Sequence, residues 1–122
     1  MIVGTLSNQD NHRTLISHVM RTSNIFERIR GLLGRAPLLP DQALLITSCS
    51  SIHTFFMQYP IDLAFINNQW QIKKLIPALK PFRMAWAPGT SMVVEMPVGT
   101  IEQIKLEEGI TLLWEKKNAS ES

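Results

Sequence analysis

The sequence predicts an α+β domain that is mostly β, with a small curved or barrel-like sheet of about six or seven short strands and two short helices. Short apolar runs recur along the chain, and residues typical of turns separate them. Two other segments begin with helix-capping residues. With 122 residues, 45% hydrophobic and 18% charged, the chain has the size and composition of one packed domain.

The first half of the chain predicts one strand and one helix. Residues 14–20 alternate between apolar and polar side chains, which favours a strand. Ser23 or Asn24 can cap a helix, with Glu27 three residues after Asn24 in the capping-box position. Gly34 is a plausible end for that helix.

The rest of the chain predicts further short strands and a second helix. The strand segments are apolar or alternating runs at 43–47, 52–57, 61–66, 70–76, 92–96 and 110–114. A segment containing Pro77, Pro81 and Pro88 favours an edge strand or an ordered loop. Thr100 can cap the second helix, with Gln103 in the capping-box position. The domain is predicted to span residues 1–115, followed by a polar, disordered tail at 116–122.

Composition argues against several classes of function. A net charge of +2 without a dense Lys/Arg run predicts no nucleic-acid binding. The single cysteine, Cys49, excludes an intramolecular disulfide. The chain shows no signal peptide and no apolar run of ~20 residues, so a cytoplasmic location and no membrane span are expected. The alternative is an exported protein whose leader has been removed. No phosphate-binding loop, Cys-x-x-Cys or zinc-protease motif is present, so neither a cofactor nor a metal is predicted.

Five short segments stand in an order that resembles a known family. They are 30–35 (RGLLGR), 49–57 (CSSIHTFFM), 60–66 (PIDLAFI), 79–83 (LKPFR) and 94–99 (VEMPVG). Together they are similar to Domain of Unknown Function 192 over residues 13–114. The resemblance implies a compact, β-rich domain with no established activity. Many members are exported, sometimes beside secretion or pilus components, whereas this sequence shows no leader.

The leading functional hypothesis is a non-catalytic binding or accessory domain. Its site would be a shallow cleft lined by His53, Asp62, Arg83 and Glu95, with Trp86 as an aromatic wall. The planar guanidinium of arginine suits a carboxylate or phosphate. The expected ligand is therefore a small anionic or sugar-like molecule, or a partner protein.

An alternative hypothesis is a hydrolase. It would use Cys49 as nucleophile with His53 as base, or a metal held by His53 and Asp62. Cys49, His53 and Met57 share one strand face and could suit a soft metal, but Cys and Met are more often core residues. Direct contact between Cys49 and His53 also requires a bend, because four strand residues span ~13 Å.

Two structural interpretations complete the set. Asp62 could fix the Tyr59-Pro60 turn by accepting backbone amides. A purely structural partner of a larger assembly would instead present an exposed apolar patch around Met84 and Trp86.

Overall fold

The structure, a computed structural model, describes residues 2–22, 37–54 and 58–117. Nine strands and one short helix lie within these ranges. They are β1 (Ile2–Asn8), β2 (Thr14–Arg21), β3 (Gln42–Thr47), β4 (Ser51–His53), β5 (Ile61–Ile66), β6 (Ile72–Leu79), β7 (Met84–Trp86), β8 (Met92–Pro97), α1 (Thr100–Gln103) and β9 (Leu112–Lys116).

Seven strands form one mixed sheet in the order β6-β5-β8-β3-β2-β1-β9. β2 and β3 are parallel, with Val19 opposite Ala43, and the other neighbouring pairs are antiparallel. β5 and β8 lie side by side within this sheet and are buried along nearly their whole length. Both faces of these strands are covered, which explains why they are apolar on both faces apart from one buried carboxylate each, Asp62 and Glu95.

The sheet curls around a concave face to which both of its edges contribute. Leu6 of β1, Ile72 of β6 and Leu112 of β9 belong to one buried cluster, although β6 and β9 are the two edge strands. The edges approach each other through an isolated bridge between Gln71 and Thr111. No continuous ladder joins them in the described part of the chain, so the sheet is curved but not closed into a barrel.

A second, two-stranded sheet made of β4 and β7 covers part of the convex face. Ile52 and Ala85 are register partners in this small sheet, and both are buried. They pack in one cluster with Leu63, Phe65 and Val93 of the large sheet. Among the described residues, the small sheet therefore packs on the body of the protein through the face that carries Ile52 and Ala85.

The mostly-β prediction is confirmed, whereas the two predicted helices are not. The described residues contain only α1, and the helix predicted to begin at Ser23 or Asn24 falls in 23–36, outside them. β1 is absent from the sequence-based prediction, and the predicted 52–57 strand is described only as β4. The 116–122 tail stays a prediction, although the Lys117 amide still donates to the Val3 carbonyl at 2.9 Å.

No helix among the described residues is both long and apolar enough to span a membrane.

Candidate functional site

The residues predicted to line one cleft lie on different sides of the large sheet. On β5, Ile61 and Leu63 pack in the convex-face cluster, so Asp62 between them points to the concave side. On β8, Val94 and Met96 belong to the concave-face cluster, so Glu95 between them points to the convex side. The sheet itself separates these two carboxylates.

Asp62 is bound to backbone amides. Its Oδ1 accepts the amide of Ala78 at 2.8 Å, and its Oδ2 accepts those of Gly99 at 3.1 Å and Ile101 at 2.9 Å. The side chain is only 1% exposed, so these bonds replace the water that a buried carboxylate would lose. Asp62 does accept backbone amides, as its structural interpretation requires, but these amides lie in β6 and at the start of α1.

This arrangement also corrects the predicted cap of the second helix. Thr100 is the first helical residue rather than the cap, and its hydroxyl donates to the Pro97 carbonyl at 2.7 Å. The N-cap is Gly99, at a φ of 93°, and it makes no side-chain cap bond. Asp62, 37 residues earlier in the chain, supplies the acceptor instead.

Glu95 lies in the middle of the large sheet. Its register partners are Leu44 of β3 and Leu63 of β5, and the residue is 1% exposed. A ligand at the molecular surface could not contact this carboxylate without a rearrangement of the sheet.

Trp86 lies instead on the small sheet, Arg83 directly precedes its strand β7, and both residues are exposed. Trp86 pairs with Ser51, and the backbone of His53 pairs with Met84. The side chain of His53 lies outside the part of the chain that the structure describes. Of the five predicted site residues, only Arg83 and Trp86 are described as exposed, and they lie three residues apart in the chain.

Three large apolar side chains are exposed on β7 and in the turn before it, and we refer to Phe82, Met84 and Trp86 as the β7 strip. They are 69%, 60% and 61% exposed, whereas Ala85 between them is 5% exposed. Successive strand residues face opposite sides, so the small alanine packs inward while its large neighbours face solvent. This is the opposite of the usual partition, in which large apolar side chains face the interior.

The turn before β7 is anchored by Thr54, which is fully buried. The Thr54 hydroxyl donates to the Lys80 carbonyl at 2.7 Å and accepts the Arg83 amide at 2.9 Å. The Thr54 carbonyl accepts the Phe82 amide at 3.0 Å, and the Thr54 amide donates to the Arg83 carbonyl at 2.8 Å. These hydrogen bonds fix the backbone at Lys80, Phe82 and Arg83, in the turn that leads into β7.

Phe82 has a left-handed backbone, with a φ of 61°. For a non-glycine residue this conformation costs roughly 1–2 kcal/mol. Its exposed ring gains little burial in return.

The charge around the β7 strip is one-sided. Residues 63–94 contain Lys73, Lys74, Lys80 and Arg83 but no Asp or Glu, whereas the rest of the chain carries eight Lys or Arg and ten Asp or Glu. All four basic residues are exposed. This stretch of sequence therefore carries four positive charges and no negative one, although in the fold the Glu108 carboxylate accepts the Leu75 amide of β6 at 3.4 Å.

The features required by the hydrolase hypothesis are described only in part. Cys49 is half-buried, and its Sγ donates to the Ser51 carbonyl at 3.0 Å. The side chain of His53 is not described, so the proposed Cys49–His53 contact stays a prediction. Among the described residues, no three His, Cys, Asp or Glu side chains form a group that could hold a metal ion.

The larger concavities lie elsewhere. An apolar recess of about 180 Å³ is lined by Pro37, Leu38, Tyr59, Pro60, Ile61, Met96, Pro97 and Val98. A shallower groove of about 280 Å³ is lined by Gln9, Gln69, Trp70, Thr111, Leu112, Leu113 and Trp114. Neither combines several charged groups, which a site for a small anion would need.

Two sequence signals could have located the β7 strip. Phe82, Met84 and Trp86 recur every second residue, with Ala85 and Ala87 filling the small positions between and after them. The long stretch without an acidic residue surrounds them. The prediction of an exposed patch at Met84 and Trp86 captured part of this surface but not Phe82 or its anchor, Thr54.

The fold and this surface define a small domain with a curved mixed sheet and an attached two-stranded sheet. The chain belongs to the family DUF192, described as "Uncharacterized ACR", whose profile matches residues 6–114. It is 29% identical over 119 residues to a "UPF0127 protein" of Thermococcus sibiricus, covering 90% of this chain and 74% of that protein. It is 32% identical over 101 residues to a "UPF0127 protein" of Pyrococcus furiosus, covering 76% and 83%.

Two solved structures share the fold. One is a proposed transcription regulator from Sinorhizobium meliloti, with a TM-score of 0.76, 19% identity and coverage of 93% of this chain and 92% of that one. The other is a protein of unknown function from Novosphingobium aromaticivorans, with a TM-score of 0.71, 18% identity and coverage of 92% and 84%. At these identities the likeness establishes the fold alone.

Proposed function

We propose that this protein is a non-catalytic binding domain and that its ligand is another protein, held on the β7 strip. The observation that supports this most is the exposure of Phe82, Met84 and Trp86 on a backbone anchored by Thr54. A rigid surface loses little conformational freedom when a partner binds, and large aromatic side chains contribute most of the energy in many interfaces.

A protein partner suits this surface better than a small molecule. Small ligands bind in concave sites where several polar groups converge, whereas the β7 strip projects outward. The Arg83 guanidinium contacts its neighbour's carbonyl, with Nη1 3.4 Å from the Phe82 oxygen. Arg83 is thus proposed as a charged rim residue beside the apolar anchors, where it would select for a partner with carboxylates.

The test compares the wild-type protein with the triple variant Phe82→Ser/Met84→Ser/Trp86→Ser. A random peptide library displayed on phage is selected on the wild type, and the selected peptides are titrated against both proteins. Because all three residues are exposed, the variant should keep its fold, which circular dichroism and thermal unfolding will show. We expect the selected peptides to bind the wild type and to lose most of their affinity for the variant.

Two results would contradict the proposal. Peptides that bind both proteins equally would place protein binding elsewhere on the molecule. Stabilisation of both proteins by a small anion, a sugar or an oligonucleotide, with no peptide that discriminates between them, would assign a different class of ligand.

A further inference from the structure

β7 has one edge that is open among the described residues, since β4 is its only strand partner there. The Ala87 amide donates to Ser50, and the Thr54 amide donates to Arg83. In an antiparallel pair, hydrogen-bonded and non-hydrogen-bonded residues alternate. The backbone groups of Met84 and Trp86 therefore point away from β4, toward the open edge.

The Trp86 carbonyl on this edge accepts a hydrogen bond from a lysine. Lys74 of β6 donates from Nζ to the Trp86 carbonyl at 3.0 Å. A lysine at a strand edge discourages indiscriminate pairing, because a neutral strand that approaches must displace or bury its charge. A strand that carries a carboxylate at the matching position would instead pair with that ammonium.

We infer that the partner of the β7 strip is an extended acidic segment that adds to the open edge of β7 as a third strand of the small sheet. This inference rests on the proposed function and specifies the partner. Main-chain bonds would form with Met84 and Trp86, and apolar side chains of the segment would lie beside those two residues. The residues between those apolar positions would face the other side of the added strand, where carboxylates could reach Lys74. The proposed segment therefore alternates apolar and acidic residues.

The charge pattern argues against a second copy of this chain as the occupant. If β7 of one copy paired with β7 of another, Lys74, Lys80 and Arg83 of both copies would be brought together. Like charges at close range weaken such pairing, most strongly at low salt. An acidic segment has the opposite dependence and should bind best at low salt.

The experiment uses the full chain and a short synthetic peptide in which glutamate alternates with valine. Its controls are the same peptide with glutamine for glutamate, and the glutamate peptide with alternate backbone amides methylated. Binding is measured by titration calorimetry, and amide hydrogen exchange is measured by NMR. We expect the glutamate peptide to bind and to slow exchange at the Met84 and Trp86 amides, while Ala85, already paired with Ile52, serves as the reference.

A charge-matched pair of variants isolates the role of Lys74. Lys74→Gln should weaken binding of the glutamate peptide several-fold, whereas Lys116→Gln on β9 removes the same charge elsewhere and should leave it unchanged. The glutamine peptide should not distinguish Lys74→Gln from the wild type. Methylation of the peptide backbone should abolish binding if main-chain pairing holds the complex together.

Each contrary result identifies which claim fails. Binding without slower exchange at Met84 and Trp86, or binding that tolerates methylation, would overturn strand addition and leave the proposed function in place. Equal binding of the glutamate and glutamine peptides would overturn the acidic partner. A dimer of the free protein that Trp86→Ala dissolves would assign the edge to a second copy. If neither these peptides nor library-selected peptides bind the strip, the proposed function fails as well.

Discussion

The three tryptophans of this chain occupy two contrasting settings. Trp70 and Trp114 are half-buried against the concave core, and the Arg21 guanidinium lies 5.5 and 5.6 Å from their ring centroids. Trp86 is 61% exposed, and a lysine contacts its carbonyl rather than its ring. A basic side chain lies near the tryptophans in both settings. In the first it stacks on the indole rings, whereas in the second the indole ring is left exposed to solvent.

The difference follows from where each tryptophan lies in the fold. Trp70 lies just before β6 and Trp114 lies on β9, so Arg21 of β2 contacts residues at both edges of the curved sheet. This cation–π pair helps to hold the edges together where the ladder does not close. Trp86 lies on a sheet with only two strands, whose outer face and outer edge have no counterpart among the described residues. The first setting contributes to stability, and we assign the second to binding.

The largest expected loss of stability comes from Asp62. Asp62→Ala removes three part-buried hydrogen bonds to backbone amides, and should lower the free energy of unfolding by about 3 kcal/mol or more. Urea unfolding followed by circular dichroism measures this. Asp62→Asn retains one acceptor oxygen and should lose less. A loss below that of an exposed control, Asp10→Ala, would show that the Asp62 bonds contribute nothing to stability.

The second prediction contrasts two tryptophans directly. Trp114→Ala removes a half-buried ring from the core and should cost about 2 kcal/mol or more. Trp86→Ala removes an exposed ring and should change stability by less than ~0.5 kcal/mol. Thermal and urea unfolding of the two variants provide the comparison. Equal losses would mean that Trp86 supports the fold, contrary to its assignment as a binding residue.

The third prediction concerns the contact of Trp114 with β1. A Cβ at Gly4 would lie 2.6 Å from a Trp114 ring carbon and close against the Glu115 carbonyl. Gly4→Ala should therefore destabilise the protein by roughly 1–3 kcal/mol through overpacking. Val3→Ala, at an exposed neighbouring position, is the control in the same denaturation assay. An unchanged Gly4→Ala variant would argue against this packing of β9 on β1.

The fourth prediction tests the arginine between the two rings. Arg21→Lys keeps the charge but loses the planar group that lies over the indoles, so a loss of about 1 kcal/mol is expected. Arg13→Lys, on an exposed stretch, should have no effect. The loss of stability is compared at two salt concentrations. Because the substitution keeps the charge, a loss that does not depend on salt reflects the lost stacking rather than long-range electrostatics. A stable Arg21→Lys variant would show that charge alone suffices.

The last prediction concerns Phe82, where a loss of stability is not expected. Phe82→Gly removes the left-handed strain but makes the unfolded chain more flexible, so stability should stay the same or rise by less than ~1 kcal/mol. Affinity for peptides selected on the strip should nevertheless fall. Phe82→Ala keeps the strained backbone without the ring and should lose affinity while remaining slightly less stable than the glycine variant. A clear loss of stability in Phe82→Gly would assign the ring to folding.

Part of this picture could be predicted from the sequence and part could not. β3, β5 and β8 are short apolar runs that indicate buried strands without further context. β1 was missed because Gly4, Thr5 and Ser7 interrupt its apolar pattern, and it becomes a strand because β2 and β9 pair with it on both sides.

The set of amides that Asp62 binds could not be predicted from the sequence either. Its three amide donors lie 16, 37 and 39 residues further along the chain, and only the folded sheet brings them to the carboxylate. The separation of Asp62 from Glu95 follows from which face each strand position occupies. The exposure of Trp86 depends in the same way on the attachment of the small sheet through Ala85.

The most direct test of the two settings is fluorine NMR of protein labelled with 5-fluorotryptophan, recorded with and without a peptide selected on the wild type. The three resonances are assigned from single Trp→Phe variants. We predict that the Trp86 resonance shifts on titration while those of Trp70 and Trp114 stay in place. A shift confined to Trp70 and Trp114 would place the partner at the groove beside those rings and would contradict the assignment of binding to the β7 strip.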